Sequence, residues 1–158
     1  ASVLLGNGNG TFAPHVDYPL GGSANAIAAG DLNGDGKPDL AVVNNSNVSV
    51  LLGNGNGTFL SAGSYGAGTS AISIAIGDLN GDGKPDLAVA NSGNGNFNTV
   101  SVLLNTGNGA FGGPASYVVG PGPSGVAMAE LSGDGRPDLI VSNWNGADVS
   151  LLFNACLP

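Results

Sequence analysis

Three short segments hold nearly all the ionisable chemistry of this 158-residue chain. They read Asp31-Leu32-Asn33-Gly34-Asp35-Gly36-Lys37-Pro38-Asp39, Asp78-Leu79-Asn80-Gly81-Asp82-Gly83-Lys84-Pro85-Asp86 and Glu130-Leu131-Ser132-Gly133-Asp134-Gly135-Arg136-Pro137-Asp138. Nine of the 11 acidic residues and all 3 basic ones lie inside them, leaving only Asp17 and Asp148 outside. Carboxylates packed this closely repel one another unless a cation neutralises them. Oxygen side chains at positions 1, 3, 5 and 9, with a glycine after position 5 for the sharp turn, suit a hard cation held in a loop. The expected ion is calcium.

The proposed ligands of the first loop are Asp31, Asn33, Asp35 and Asp39, with the backbone carbonyl of Lys37. Those of the second are Asp78, Asn80, Asp82 and Asp86, with the carbonyl of Lys84. Those of the third are Glu130, Ser132, Asp134 and Asp138, with the carbonyl of Arg136. Glu130 is one methylene longer and Ser132 a weaker ligand, so the third site is expected to bind least tightly. The metal-free alternative is a set of Asx turns, since Asp, Asn and Gly are common turn formers. Magnesium retains its water and rarely takes an all-protein cage, and zinc or iron would want more than one His and one Cys placed far apart. The ion would be structural, with no evident open position for a substrate.

Charge agrees with this reading. The net formal charge is −8, of which the three loops contribute minus six, so three divalent ions would bring the loops to neutrality. So acidic a chain has no phosphate-binding surface for nucleic acid and no attraction to an anionic membrane. Catalysis finds little support. His15 is the only histidine, with no nucleophile near it in sequence, and the carboxylates are committed to the loops. The Gly-Asn-Gly-Asn-Gly runs lack the lysine and helix that a phosphate loop needs. The chain is therefore read as non-catalytic.

The loops recur at intervals of 47 and 52 residues, and the same offsets relate Phe12, Phe59 and Phe111, and Tyr18, Tyr65 and Tyr117. The five extra residues of the second interval fall within Ser92 to Thr99. Aromatic residues in step with the loops read as core anchors of a repeated unit. Within each unit, Ala26–Ala29 leads into the loop, Asp39–Val43 leaves it, Val48–Leu52 follows, and Gly53–Gly57 turns into a fourth strand running from Thr58 towards Tyr65. Asn-Gly pairs tolerate positive φ and favour tight antiparallel hairpins. With 29 glycines punctuating Val/Leu/Ile runs and no helical periodicity, the expectation is all-β: β-propeller blades made of three tandem four-stranded antiparallel repeats of about 47–52 residues. Residues 1–158 read as a single domain of such repeats.

The stretch Gly-Asp-Leu-Asn-Gly-Asp-Gly-Lys-Pro-Asp-Leu-Ala-Val, at Gly30 to Val42 and again at Gly77 to Val89, resembles the FG-GAP/VCBS repeat. That family includes the propeller of integrin α subunits and many secreted bacterial proteins. The resemblance implies propeller blades with calcium between the first and second strand of each, and roles in adhesion, recognition or scaffolding. The third copy departs from it at Glu130, Ser132 and Arg136.

Two functions follow as expectations. One is a structural or assembly module that packs against further blades or against other copies of itself. The other is a recognition module, a lectin or an adhesion domain for extracellular protein, using the loops that break the repeat around Phe97 and Trp144. The strand count favours the first. Strands of two, four, four and three in succession leave the first unit without its inner pair and the last without its outer strand. The result is a partial propeller, a piece of a longer one, or one completed by an oligomer. No apolar stretch is long enough to span a membrane. An opening Ala1 without Met points to a mature or excised product, the lone Cys156 to an incidental thiol, and calcium loops of this kind to a secreted or cell-surface setting.

Overall fold

The structure, a computed structural model, describes residues 1–93 and 98–154; Phe97 and Cys156 lie outside that range. Its β-branched and apolar runs pair as antiparallel sheets, and the described residues contain no α-helix. A short hairpin comes first, β1 (Ser2–Val3) with β2 (Val16–Asp17). The first blade follows as β3 (Ala24–Gly30), β4 (Asp39–Asn44), β5 (Asn47–Gly53) and β6 (Phe59–Gly66), hydrogen-bonded in that order. The second is β7 (Ala71–Gly77), β8 (Asp86–Asn91), β9 (Thr99–Leu103) and β12 (Ala115–Val118). The third is β13 (Pro123–Ala129), β14 (Asp138–Asn143) and β15 (Asp148–Leu152).

Two features differ from the sequence reading. The fourth strand expected from Thr11 to Tyr18 is regular only at Val16–Asp17, with one further bridge between Gly6 and Phe12. In the second blade the turn between β9 and β12 forms a small sheet of its own, β10 (Asn105–Gly107) paired with β11 (Ala110–Phe111), with a register shift between Asn105 and Gly107. Among the described residues fifteen strands therefore stand where thirteen were expected.

The core is built between blades. Alternate side chains of a strand face opposite sides of its sheet. Ala41, Val43, Val48 and Val50 on one face of the first blade meet Ile74, Leu87, Val89 and Leu103 of the second. Ala88, Val100 and Val102, on the second blade's opposite face, meet Val126, Met128, Leu139 and Val141 of the third. The face that a blade turns to the following one is its trailing face, and the face turned to the preceding one its leading face. The central strand β8 is buried throughout, because it has a blade on either side. Each strand 2 ends in a buried asparagine whose amide nitrogen donates across to a serine hydroxyl of strand 3: Asn44 to Ser49, Asn91 to Ser101, and Asn143 to Ser150. No helix among the described residues is long and apolar enough to cross a membrane.

Candidate metal centre

Each acidic loop joins strand 1 to strand 2 of a blade, and all three share one conformation. Two glycines take positive φ in each: Gly34 and Gly36 (82° and 78°), Gly81 and Gly83 (76° and 81°), Gly133 and Gly135 (82° and 80°). Only glycine adopts such angles without strain, so this spacing curls the chain around its own first side chain. Asp31 Oδ1 accepts from the N–H of Gly34 at 2.8 Å and of Asp35 at 3.2 Å, and its Oδ2 accepts from Gly36 at 2.7 Å. Asp78 repeats the pattern with Gly81, Asp82 and Gly83. Asx turns add Asn33 to the Asp35 N–H and Asp35 to the Lys37 N–H, and likewise Asn80 to Asp82 and Asp82 to Lys84.

The lysine at position 7 turns back on the carboxylate at position 5. Lys37 Nζ lies 3.1 Å from Asp35 Oδ2, and Lys84 Nζ lies 2.7 Å from Asp82 Oδ2. Backbone donors, that of Gly36 foremost, hold the Asp31 carboxyl below its ordinary range. The Lys37 N–H and ammonium do the same for Asp35, and the Lys84 ammonium, then its N–H, for Asp82. These carboxylates are kept ionised.

The ninth position behaves differently. Asp39, Asp86 and Asp138 are fully buried at the base of the loops. Asp39 Oδ2 accepts from the Leu32 N–H at 2.8 Å, and its Oδ1 from the Gly53 N–H at 2.7 Å. Asp86 joins Leu79 to Asn105 in the same way, and Asp138 joins Leu131 to Asn154. Each of these carboxylates clamps the start of its loop to the end of strand 3. Burial pushes the Asp86 carboxyl up, and the charges of Asp82 and Asp78 push it the same way.

The third loop is looser. Glu130 accepts from the Gly133 N–H and from the Ser132 hydroxyl, and Asp134 from the Arg136 N–H. Its longer side chain makes one backbone contact where Asp31 and Asp78 each make three.

The donor set suits a hard cation in kind: only oxygen ligands, several ionised, on a coiled loop. Each oxygen that accepts one N–H keeps a second lone pair. Among the described residues, however, no three acidic, His or Cys side chains converge on a single point at metal distance. In this conformation backbone N–H groups bond the carboxylates at position 1, and the lysine ammoniums pair with Asp35 and Asp82 alone.

Away from the loops, Trp144 is 83% exposed beside a hollow of about 470 Å³ shared with Ser124, Ser142 and Asp148. His15 lies on the surface with its Nε2 3.5 Å from Asp17 Oδ2. Sequence reasoning missed two residues that tie the loops to neighbouring blades. The Asn105 amide donates to the carbonyls of Leu32 and Pro85, and the Asn154 amide to those of Leu79 and Pro137. Each therefore bridges the loop of its own blade to that of the blade before. Asn154 follows Phe153 as Asn105 follows Leu104, which was the only signal available in the sequence.

The sequence profile described as FG-GAP-like repeat matches residues 1–42, 31–89 and 78–141. The chain belongs to the FG-GAP-like repeat family. Its repeats are integrin-like β-propeller blades, and each match takes in at least one whole acidic loop. FG-GAP modules are typically structural or binding units found in extracellular and surface proteins. No curated protein matches the chain.

Proposed function

We propose that this FG-GAP chain is a calcium-binding, non-catalytic structural module of an extracellular or surface protein, whose blades pack against further blades. The observation that supports it is the threefold recurrence of one loop conformation presenting an all-oxygen, acidic donor set. Asp31, Asn33 and Asp35 would hold the first ion with the Lys37 carbonyl, and Asp78, Asn80 and Asp82 the second with the Lys84 carbonyl. Asp39 and Asp86 would stand beneath them. Glu130, Ser132 and Asp134, with the Arg136 carbonyl, would form a weaker third site, with Asp138 beneath it in the same way. Bound calcium supplies the neutralising charge, a task that the lysine ammoniums perform only for Asp35 and Asp82.

The test is a pair of thermal melts, in excess EDTA and in millimolar calcium. A ligand that binds only the folded form adds about 2.7 kcal/mol per site at a hundredfold excess over its dissociation constant. The midpoint is expected to rise in calcium; identical midpoints would refute the reading.

A second reading, recognition of a glycan, is favoured by the exposed Trp144 beside Ser124, Ser142 and Asp148. An apolar ring next to hydroxyl and carboxylate groups can stack on a sugar while its neighbours bond the sugar hydroxyls. Glycan-array binding lost in Trp144→Ala would support it, and silence across the array would remove it.

A further inference from the structure

We propose that the open edge and trailing face of the third blade dock the N-terminal side of a second copy of this chain, head to tail. This inference rests on the reading of the chain as a blade-packing module, and it does not require calcium. Its basis is continuity with the two blade interfaces already formed.

Three contacts recur from junction to junction along the chain, the first two between the N-terminal hairpin segment and the first blade and again between the first and second blades, the third at both blade interfaces. The first is aromatic: Tyr18 meets Phe59 of the first blade, and Tyr65 of the first blade meets Phe111 of the second, both edge to face at 5.6 and 5.5 Å. The second is a leucine over a turn glycine. Leu5 lies where a Cβ on Gly57 would stand, and Leu52 does the same at Gly109. The third is a large side chain over a small one: Ile76 lies over Gly30, and Met128 over Gly77.

Each series has one unmatched half at either end. Tyr117 is 48% exposed and Leu104 is exposed on the second blade, both lining a groove of about 660 Å³ that opens towards Leu152 and Phe153 of the third. At the other end Phe12 is 64% exposed, and nothing lies within 4 Å of a Cβ built on Gly10. These are the repeat equivalents of Phe59 with Gly57 and of Phe111 with Gly109. The third blade also exposes Val149, Leu151 and Phe153, while Ile27, the equivalent of Ile74, is exposed on the first.

The third series identifies the occupant. At the position of Gly30 and Gly77 the third blade carries Ala129, whose methyl would crowd an isoleucine or methionine. At the position of Ile76 and Met128 the first blade carries Ala29, which is small and exposed. A second copy thus brings an alanine to meet an alanine, where another copy of the second or third blade would bring Ile76 or Met128.

Docking also settles the sheet edge. β1 and β15 are the same strand of the repeat, Ser2-Val3-Leu4-Leu5 against Ser150-Leu151-Leu152-Phe153. Both cannot occupy one place. β15 is five residues long and β1 only two, so β15 keeps the position and β2 of the second copy pairs with it. Ser150 then takes the place of Ser2 opposite Asp17 of the second copy. Strand addition to an exposed edge supplies main-chain hydrogen bonds while the apolar pairs set the register. The two inner interfaces each have an asparagine bridge, but Gly53 stands at that position in the first blade, so this junction is weaker than those inside the chain.

The experiment uses light scattering across a concentration series from micromolar to hundreds of micromolar. One variant blocks the head (Phe12→Ser with Ile27→Ser) and another the tail (Val149→Lys with Leu151→Lys). All four sites are exposed, and matching far-ultraviolet spectra and melts confirm that each variant folds. The wild type is expected to rise from monomer mass to at least roughly double it. Each variant alone should remain monomeric, and an equimolar mixture should form a one-to-one dimer, since only one junction remains possible. A wild type monomeric throughout, a variant that still associates alone, or a mixture that stays monomeric would overturn the proposal. Repeating the series in EDTA separates it from the calcium reading, which the melts test on their own.

Discussion

Tyr65 and Phe111 meet edge to face across the boundary of the first and second blades, with ring centroids 5.5 Å apart and planes at 72°. The contact belongs to two different repeats. The regular recurrence of the aromatics therefore reflects how blades join, as much as how one blade is filled.

Phe111 is 7% exposed whereas Phe12, its counterpart two repeats earlier, is 64% exposed. Phe111→Ala removes a buried ring and leaves a cavity, with an expected cost of about 3–5 kcal/mol. Phe12→Ala is expected to change stability by less than about 0.5 kcal/mol when measured on dilute monomer. Urea denaturation of the two variants checks the contrast; equal losses would contradict the interface assignment.

The buried clamp and the exposed loop carboxylates should separate in calcium dependence. Asp39→Ala leaves the Leu32 and Gly53 N–H groups without their acceptor, at about 1–3 kcal/mol for each buried group, in calcium and in EDTA alike. Asp82→Ala sits on the surface and should lower stability mainly in calcium. Its loss of the calcium-dependent shift should exceed that of Ser132→Ala, because it removes a charged ligand from the better-formed loop. Melts of the three variants in both buffers decide; a purely calcium-dependent loss in Asp39→Ala would refute the clamp.

Asn105→Ala strips the Leu32 and Pro85 carbonyls of their donor at the junction of the first two blades. The expected loss is about 1–3 kcal/mol. Hydrogen exchange should show faster opening in both the first and second acidic loops, because the amide ties one to the other. Faster exchange confined to the second would mean that the bridge carries no inter-blade stability.

Removal of metal bears on the loops differentially. The third loop holds Glu130 by one backbone contact, against three for Asp31 and for Asp78, and has the weaker ligand set. Calcium titration followed by calorimetry should resolve two tighter sites and one weaker. Three equal sites would contradict the ranking.

The sequence by itself determined what is local. Asn-Gly turns, Val and Leu runs and the glycine spacing of the acidic loops depend on the residue and its near neighbours, so the order of strands could be read directly. Strand 2 of the first blade, expected at Asp39–Val43, runs from Asp39 to Asn44. The spacing that singled out the loops also placed Asp31, Asn33 and Asp35 around one turn. Three things were decided by tertiary structure. Asp39 has the same side chain as Asp31, yet only the arrival of strand 3 at Gly53 makes it a buried clamp. Phe12, Phe59 and Phe111 are one letter in one register, but burial depends on whether another blade's tyrosine stands opposite. Trp144 stands out in the sequence only as a break in the repeat, and the turn after β14 is what leaves it in solvent. A residue's chemistry is carried in its own side chain; its burial is a property of the neighbour it meets, and in a stack of blades that neighbour lies about fifty residues away.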